Sequence, residues 1–286
     1  MADDIKGVLK EIPNIIVLLL LIIALLFVAT KFKWVHCSQI PQWCDVYCRI
    51  TGNSQVAVIY GAPDDPGLGD PTLLQRRIRN ERLFTNVIPF RASELSSGIL
   101  NDYEMVAITK YKRISLREAL VLRDFLNKGG SLLWEGDAAS EYKFTEQDDT
   151  YARQENLTKP GFYEAFKDAV LNKSKGFGIL GDILGAQFNK TVPANPEVIR
   201  VRALSESHMV VQGVKNFNLT RAPYAIVTSD PRYSTQVAIF RTPDDKSHPM
   251  FLDRKYVGRL FYTAVPLEYI DSRTLLTNVM DYMVTC

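Results

Sequence analysis

The residues from Tyr103 to Ser140, YEMVAITKYKRISLREALVLRDFLNKGGSLLWEGDAAS, constrain the fold more than any other part of the chain. Met105 to Thr109 is a largely apolar run of strand length. Ser115 stands three residues before Glu118, the spacing at which two side chains cap each other's backbone amides and start a helix. Leu116, Ala119, Leu120, Leu122, Phe125 and Leu126 then recur at helical spacing, and Gly129 and Gly130 permit the positive φ at which helices end. Ser131 to Trp134 is a second apolar run, too short to alternate. All-apolar strands joined by a crossover helix predict a parallel sheet buried on both faces. Strands starting at Gln55, Asn86, Met105 and Ser131 should therefore be four parallel neighbours in flavodoxin-like order.

Asn14 to Thr30, NIIVLLLLIIALLFVAT, has no charge over 17 residues, enough at about 1.5 Å per residue to come close to spanning a hydrocarbon core. This predicts a transmembrane helix, with Pro13 in its first turn and Lys31, Lys33 and Trp34 in the headgroup layer. The run is long for a signal core, no small-x-small site follows it, and it has no polar face, so an uncleaved signal-anchor is expected. Its partner is membrane lipid.

Lys6 and Lys10 before the helix match Lys31 and Lys33 after it, which leaves the charge rule tied. Four cysteines, Cys37, Cys44, Cys48 and Cys286, lie outside the core pattern and are disulfide candidates in an oxidising compartment. Their spacing lacks the short pairs of a zinc ribbon. Glycosylation sequons occur at Asn156, Asn172, Asn189 and Asn218. Together these predict a cytoplasmic Ala2 to Glu11 and an extracytoplasmic domain. A formal net charge of +2 leaves no electrostatic footprint for nucleic acid.

The expected organisation is a short N-terminal segment (1–13), the transmembrane helix (14–30), a Cys-containing stalk (31–54) and an α/β domain (55–286) with a capping insertion at about 141–195. Within the domain, Gln55 to Tyr60 reads as a strand and Gly61 to Pro71 as a turn-rich loop. Asp70 and Pro71 should cap a helix from Thr72 to Arg82. Asn86 to Phe90 follows as a strand and Ala92 to Asn101 as a short helix. Phe162 to Leu171 reads as a helix in the insertion, and Ile179, Leu180, Ile183, Leu184 and Phe188 form an apolar helical face. Gly176 to Gly181 matches dinucleotide-binding spacing, but no strand runs into it and no acidic residue ends a following strand, so the match is rejected. Later strands are expected at Glu197 to Leu204, Tyr224 to Thr228, Gln236 to Arg241, Met250 to Asp253 and Arg259 to Thr263, then a helix from Ser272 to Val284.

Ligands of open parallel sheets bind beyond the carboxyl ends of the strands. The residues expected there are Asp64 and Asp65, Lys110, Lys112 and Arg113, and Glu135 and Asp137. Such a group can be a general-acid site, a divalent-cation site or a salt-bridge network, and loop aspartates beside Gly and Pro are commonly turn formers. No His/carboxylate spacing resembles a metal motif, which leaves His208 and His248 structural.

This progression of strand, loop, helix and strand, with EALVLRDFLNKGGSLLWEGD, resembles the class I glutamine amidotransferase-like superfamily, especially its trehalose-utilisation-type and membrane-associated branches. Ser207 to Val214 (SHMVVQGV) is similar to the family's His-Pro-hydrophobic-x-x-Gly segment, with Met209 in place of Pro. Tyr256 to Tyr262 (YVGRLFY) is similar to its Gly-x-Gly-Arg-hydrophobic-hydrophobic-Tyr strand, with Tyr256 in place of the first Gly. The resemblance covers about residues 55–286 and implies a flavodoxin-like, doubly wound, mostly parallel sheet. It also implies a nucleophilic Cys on the turn after the fourth main strand, with a later His and Glu. Here that turn reads Trp134-Glu135-Gly136-Asp137-Ala138, and neither His208 nor His248 is followed by the expected Glu. Thiolate catalysis needs a nucleophile within reach of a base. The expectation is a non-catalytic amidotransferase-like domain, without a cofactor, that binds a partner protein or glycan or forms a homo-oligomer. The alternative is a degenerate carboxylate- or metal-dependent hydrolase using Glu135, Asp137 and Asp64.

Overall fold

The structure, a computed structural model, describes residues 2–31, 35, 40, 42–82, 85–96, 98–148, 150, 160–172, 174, 176–177, 180–194, 196–214, 216–255 and 257–284. It divides into two units, Met1–Asn53 and Ser54–Val284. In the first, helix α1 (Ala2–Lys31) contains the segment Pro13–Lys31, 19 residues of mean hydropathy 2.8, long and apolar enough to cross a membrane. Pro13 stands inside this helix rather than in its first turn, because the segment expected to precede the span is itself helical. Pro there removes one N–H bond from the ladder. The expected stalk contains helix α2 (Trp43–Thr51). Trp43 Nε1 donates to Thr30 Oγ1 at 2.9 Å, and the Phe27 and Trp43 rings meet edge to face at 4.9 Å, so α1 and α2 pack through aromatic contact. Cys48 is disulfide-bonded. Cys37, Cys286, Lys33, Trp34, Asn156, Ile179 and Tyr256, and the side chain of Cys44, lie outside the described residues.

The second unit runs β1 (Ser54–Tyr60), α3 (Pro71–Glu81), β2 (Thr85–Arg91), β3 (Met105–Ile108), β4 (Arg113–Ser115), α4 (Leu116–Asn127), β5 (Ser131–Glu135), β6 (Glu141–Lys143), α5 (Pro160–Leu171), α6 (Gly181–Leu184), β7 (Ala186–Val192), β8 (Val198–Ala203), β9 (Phe217–Thr220), β10 (Tyr224–Ser229), β11 (Thr235–Arg241), β12 (Ser247–Lys255), β13 (Arg259–Thr263) and α7 (Arg273–Met283). Nine strands form one central sheet in the order β2-β1-β3-β5-β13-β12-β11-β8-β9. The pairs from β2 to β13 are parallel and those from β13 to β9 antiparallel, so only β8 and β12 run against the rest. The four strands expected as parallel neighbours are neighbours. Met105 to Ile108 and Ser131 to Glu135 are buried throughout, as unbroken apolar strands covered on both faces must be.

Helix α4 begins with the expected reciprocal cap: Glu118 N–H donates to Ser115 Oγ at 3.3 Å and Ser115 N–H to Glu118 Oε2 at 2.7 Å. The buried Glu118 carboxylate also accepts from Tyr111 Oη at 2.5 Å and meets Lys143 Nζ at 3.0 Å, which ties the cap to β6. Leu116, Ala119, Leu122, Phe125 and Leu126 face the core. At the other end, Gly129 turns at φ 92° and lets the chain enter β5. Asp70 caps α3 through Thr72 N (2.9 Å) and Leu73 N (3.0 Å), and Ser272 caps α7.

Two local expectations need correction. Ala92 to Asn101 is not a helix: a 3-10 turn spans Ala92–Glu94, and Gly98 at φ 83° breaks the segment. Phe188 is not on the short helix, because Gly185 at φ 67° ends α6 after one turn and Phe188 falls on β7. The Tyr224 strand leaves the central sheet to pair with β7. Strands β4, β6 and β9 are short and polar enough to have carried no apolar signal.

Two substitutions test this architecture by urea denaturation of the domain signal. Ser115→Ala should cost about 1 kcal/mol through loss of the cap. Gly258→Ala should cost about 2 kcal/mol or more, since a Cβ there would lie 1.9 Å from the Gly130 carbonyl oxygen and force β13 away from the turn entering β5.

Candidate functional site

The carboxyl ends of β1, β3, β5 and β13 lie side by side, and their connecting loops bond to one another. Gly61 N–H donates to Lys110 O at 2.9 Å, Lys110 N–H to Leu68 O at 2.6 Å, Ala139 N–H to Tyr111 O at 2.7 Å and Gly136 N–H to Thr263 O at 2.8 Å. The Gly61–Asp70 loop is thereby drawn across the ends of β3 and β5. Gly69 makes its closest approach. At φ 112°, a Cβ on it would stand 2.0 Å from Thr109 Oγ1 and 3.0 Å from Glu268 Oε1, so only glycine fits.

Of the residues expected at the site, Asp64 is exposed on the loop, whereas Asp65 is buried and accepts from Gly67 N (2.9 Å) and Lys112 N (2.8 Å). Asp65 therefore holds its own turn onto the segment after β3. Lys110 contributes its backbone, in the left-handed region at φ 46°. Arg113 lies on β4 with its guanidinium 3.4 Å from Glu141. Asp137 is fully buried. It accepts from Leu68 N (2.7 Å) and Thr191 Oγ1 (2.9 Å), with Lys112 Nζ at 3.5 Å. Glu135 is also fully buried and accepts from Leu267 N at 3.1 Å. Thus Asp65, Lys112, Glu135 and Asp137 do gather under one loop, and their contacts are with the protein.

The partner that the sequence reading missed is Glu268, on the 3-10 turn Leu267–Tyr269 after β13. It is 1% exposed, accepts from Asp70 N, and hydrogen-bonds with Glu135. Burial first, and then the neighbouring Glu268 charge, hold the Glu135 carboxyl well above the usual carboxylate range. Burial also pushes Glu268 up to about 7. Two carboxyls in contact away from water cannot both ionise cheaply. The only hint in the sequence was an acidic residue following a parallel strand, and β13 was not recognised as the fifth parallel strand.

His208 is engaged by the protein itself. His208 Nδ1 accepts from Val210 N at 3.3 Å while Nε2 faces Asp253 Oδ2 at 3.3 Å, and Tyr282 Oη donates to Asp253 Oδ1 at 2.8 Å. Among the described residues no group of three or more His, Cys, Asp or Glu is arranged to hold a metal.

No family model matches the sequence, and no curated protein does. In structure the chain is similar to part of the β-galactosidase from Rahnella sp. R3, at 12% identity and a TM-score of 0.56 over 81% of this chain and 31% of that one. It is similar to a ThuA-like protein from Bacteroides uniformis, at 12% identity and a TM-score of 0.54 over 82% of this chain and 92% of that one. A ThuA-like protein from Parabacteroides merdae matches at 9% identity and a TM-score of 0.51 over 81% and 90%. The chain spans about a third of the β-galactosidase's length and most of each ThuA-like protein. Identity at this level speaks to fold alone: the second unit is a mixed α/β domain that shares the fold of ThuA-like proteins.

Proposed function

We propose that this chain is a membrane-anchored, non-catalytic amidotransferase-like domain that binds a partner protein or a glycan, or assembles with copies of itself. One observation carries the reading. At the turn where such a domain would hold its nucleophile, Glu135 and Asp137 are fully buried and bonded to Leu267 N, Leu68 N, Thr191 and Lys112. A carboxylate there is neither a thiol nor free to attack, and acyl transfer through it would need an anhydride without a paired base.

The orientation favoured is an anchor through α1 with the domain outside the cytoplasm. The disulfide at Cys48 and the exposed sequon residues Asn172, Asn189 and Asn218 support it. A second reading, a hydrolase using carboxylates, draws on the Glu135–Glu268 pair, since a carboxyl held above its normal range is what general acid catalysis requires. The Gly61–Asp70 loop that covers the pair weighs against it.

Wild-type protein assayed for glutaminase, peptidase, glycosidase and phosphatase turnover should show none, and Glu135→Gln with Asp137→Asn should change nothing except stability. The cost should be about 2–4 kcal/mol by urea denaturation, since Asp137 loses its charge against Lys112. Wild-type turnover that this double change abolishes would replace the binding reading with the hydrolase. Thiol labelling of the unreduced protein should leave Cys48 unmodified, and four freely reactive thiols would move the domain to the cytoplasmic side. Mass spectrometry of proteins and glycans co-purified from membranes should then identify the partner.

A further inference from the structure

The covered carboxyl pair has a consequence for the loop above it. Glu135 Oε2, Glu268 Oε2 and Thr109 Oγ1 are all buried without a hydrogen-bond partner if both carboxyls are ionised. Buried oxygens left in that state are costly. One proton between the two carboxyls gives each Oε2 a partner, with Glu135 as donor and Glu268 as acceptor. Glu268 Oε1 meanwhile accepts from Asp70 N, and Gly69 rests against both Thr109 and Glu268. The same pair therefore holds the end of the loop whose beginning is held by Asp65 and whose middle is held by Asp137 through Leu68 N.

We propose that Glu135 and Glu268 share a proton that latches the Gly61–Asp70 loop across the carboxyl ends of the parallel strands, and that loss of this proton releases the loop and opens the crevice beneath it. Geometry supplies the latch: the pair belongs to β5 and the turn after β13, while the bonded amide belongs to the loop. The groups facing the pair reinforce it. Asp70 faces it from the start of α3, Tyr269 from the turn, and Thr109 from the end of β3; among the described residues no cation is one of the groups acting on either carboxyl. Lys112, on the segment after β3, is engaged by Asp137 and Glu141. A second negative charge on the pair would meet Asp70 and no counterion.

The direction of the pH effect follows from proton binding. Closed, the pair keeps its proton well above the ordinary glutamate range, because burial and the neighbouring Glu268 charge hold the Glu135 carboxyl up, whereas an opened, hydrated glutamate releases it at its ordinary value. The closed form thus binds more protons across that window, and its stability is full at the acid end and falls as pH rises through it.

Hydrogen exchange by mass spectrometry on the full chain in detergent tests this, reading a peptide across residues 61–70 with one from α4 as internal control. After correction for intrinsic exchange, protection of the loop should fall about tenfold per pH unit as pH rises above the ordinary glutamate range, with α4 unchanged. Glu135→Gln, whose amide can donate to Glu268 at every pH, should keep the loop protected and its profile flat. Glu268→Gln serves the same purpose if the first variant does not fold. A flat wild-type profile, or a Gln variant that keeps the wild-type slope, overturns the proposal. Recovery of loop protection at high pH on adding calcium or sodium also overturns it, in favour of a cation between the carboxyls.

Discussion

Backbone amides donated to buried carboxylates hold the upper side of this domain together. Asp65, Asp137 and Glu268 each accept from the Gly61–Asp70 loop, and Asp65 also accepts from the segment after β3. A buried carboxylate is tolerated only when hydrogen bonds or opposite charge offset its lost hydration. Asp137 meets this condition through three partners, and Glu118 meets it in the same way one layer away. The Glu135–Glu268 pair meets it only by keeping a proton. The strands below can form their ladder without these contacts, whereas the Gly61–Asp70 loop above them is held by these contacts together with its backbone bonds to the segment after β3.

How much of this was legible depends on the range of the signal. The capping box of α4, the Asp70-Pro71 start of α3 and the apolar runs of β1, β3 and β5 are local patterns, and each forms where the residues place it. The left-handed glycines Gly98 and Gly185 are local too, yet hydrophobic spacing read through them, which produced the two misplaced helices. The candidate site was half legible. Glu135 and Asp137 follow a recognisable parallel strand, so their arrival at one end of the sheet could be anticipated. Glu268 is 133 residues from Glu135, and no local pattern links them; only the pairing of β13 with β5 brings them together. The sequence also could not say that the carboxylates would be covered, since that depends on Gly69 fitting against Thr109.

Strand β13 joins the parallel and antiparallel halves of the sheet, pairing with β5 on one side and β12 on the other. Its pairing with β5 links Ser131 to Arg259, and nearly all of the antiparallel half lies between them in sequence. Until that distant contact closes, an assembly of β1, β2, β3 and β5 would end in a naked apolar edge at Leu132, Leu133 and Trp134. Such an edge is a template for the wrong strand. For a polypeptide emerging vectorially from the ribosome, the hazardous interval is the time needed to synthesise the residues from Glu135 to Arg259, and the slow step of maturation is the arrival of β13 rather than the formation of any helix.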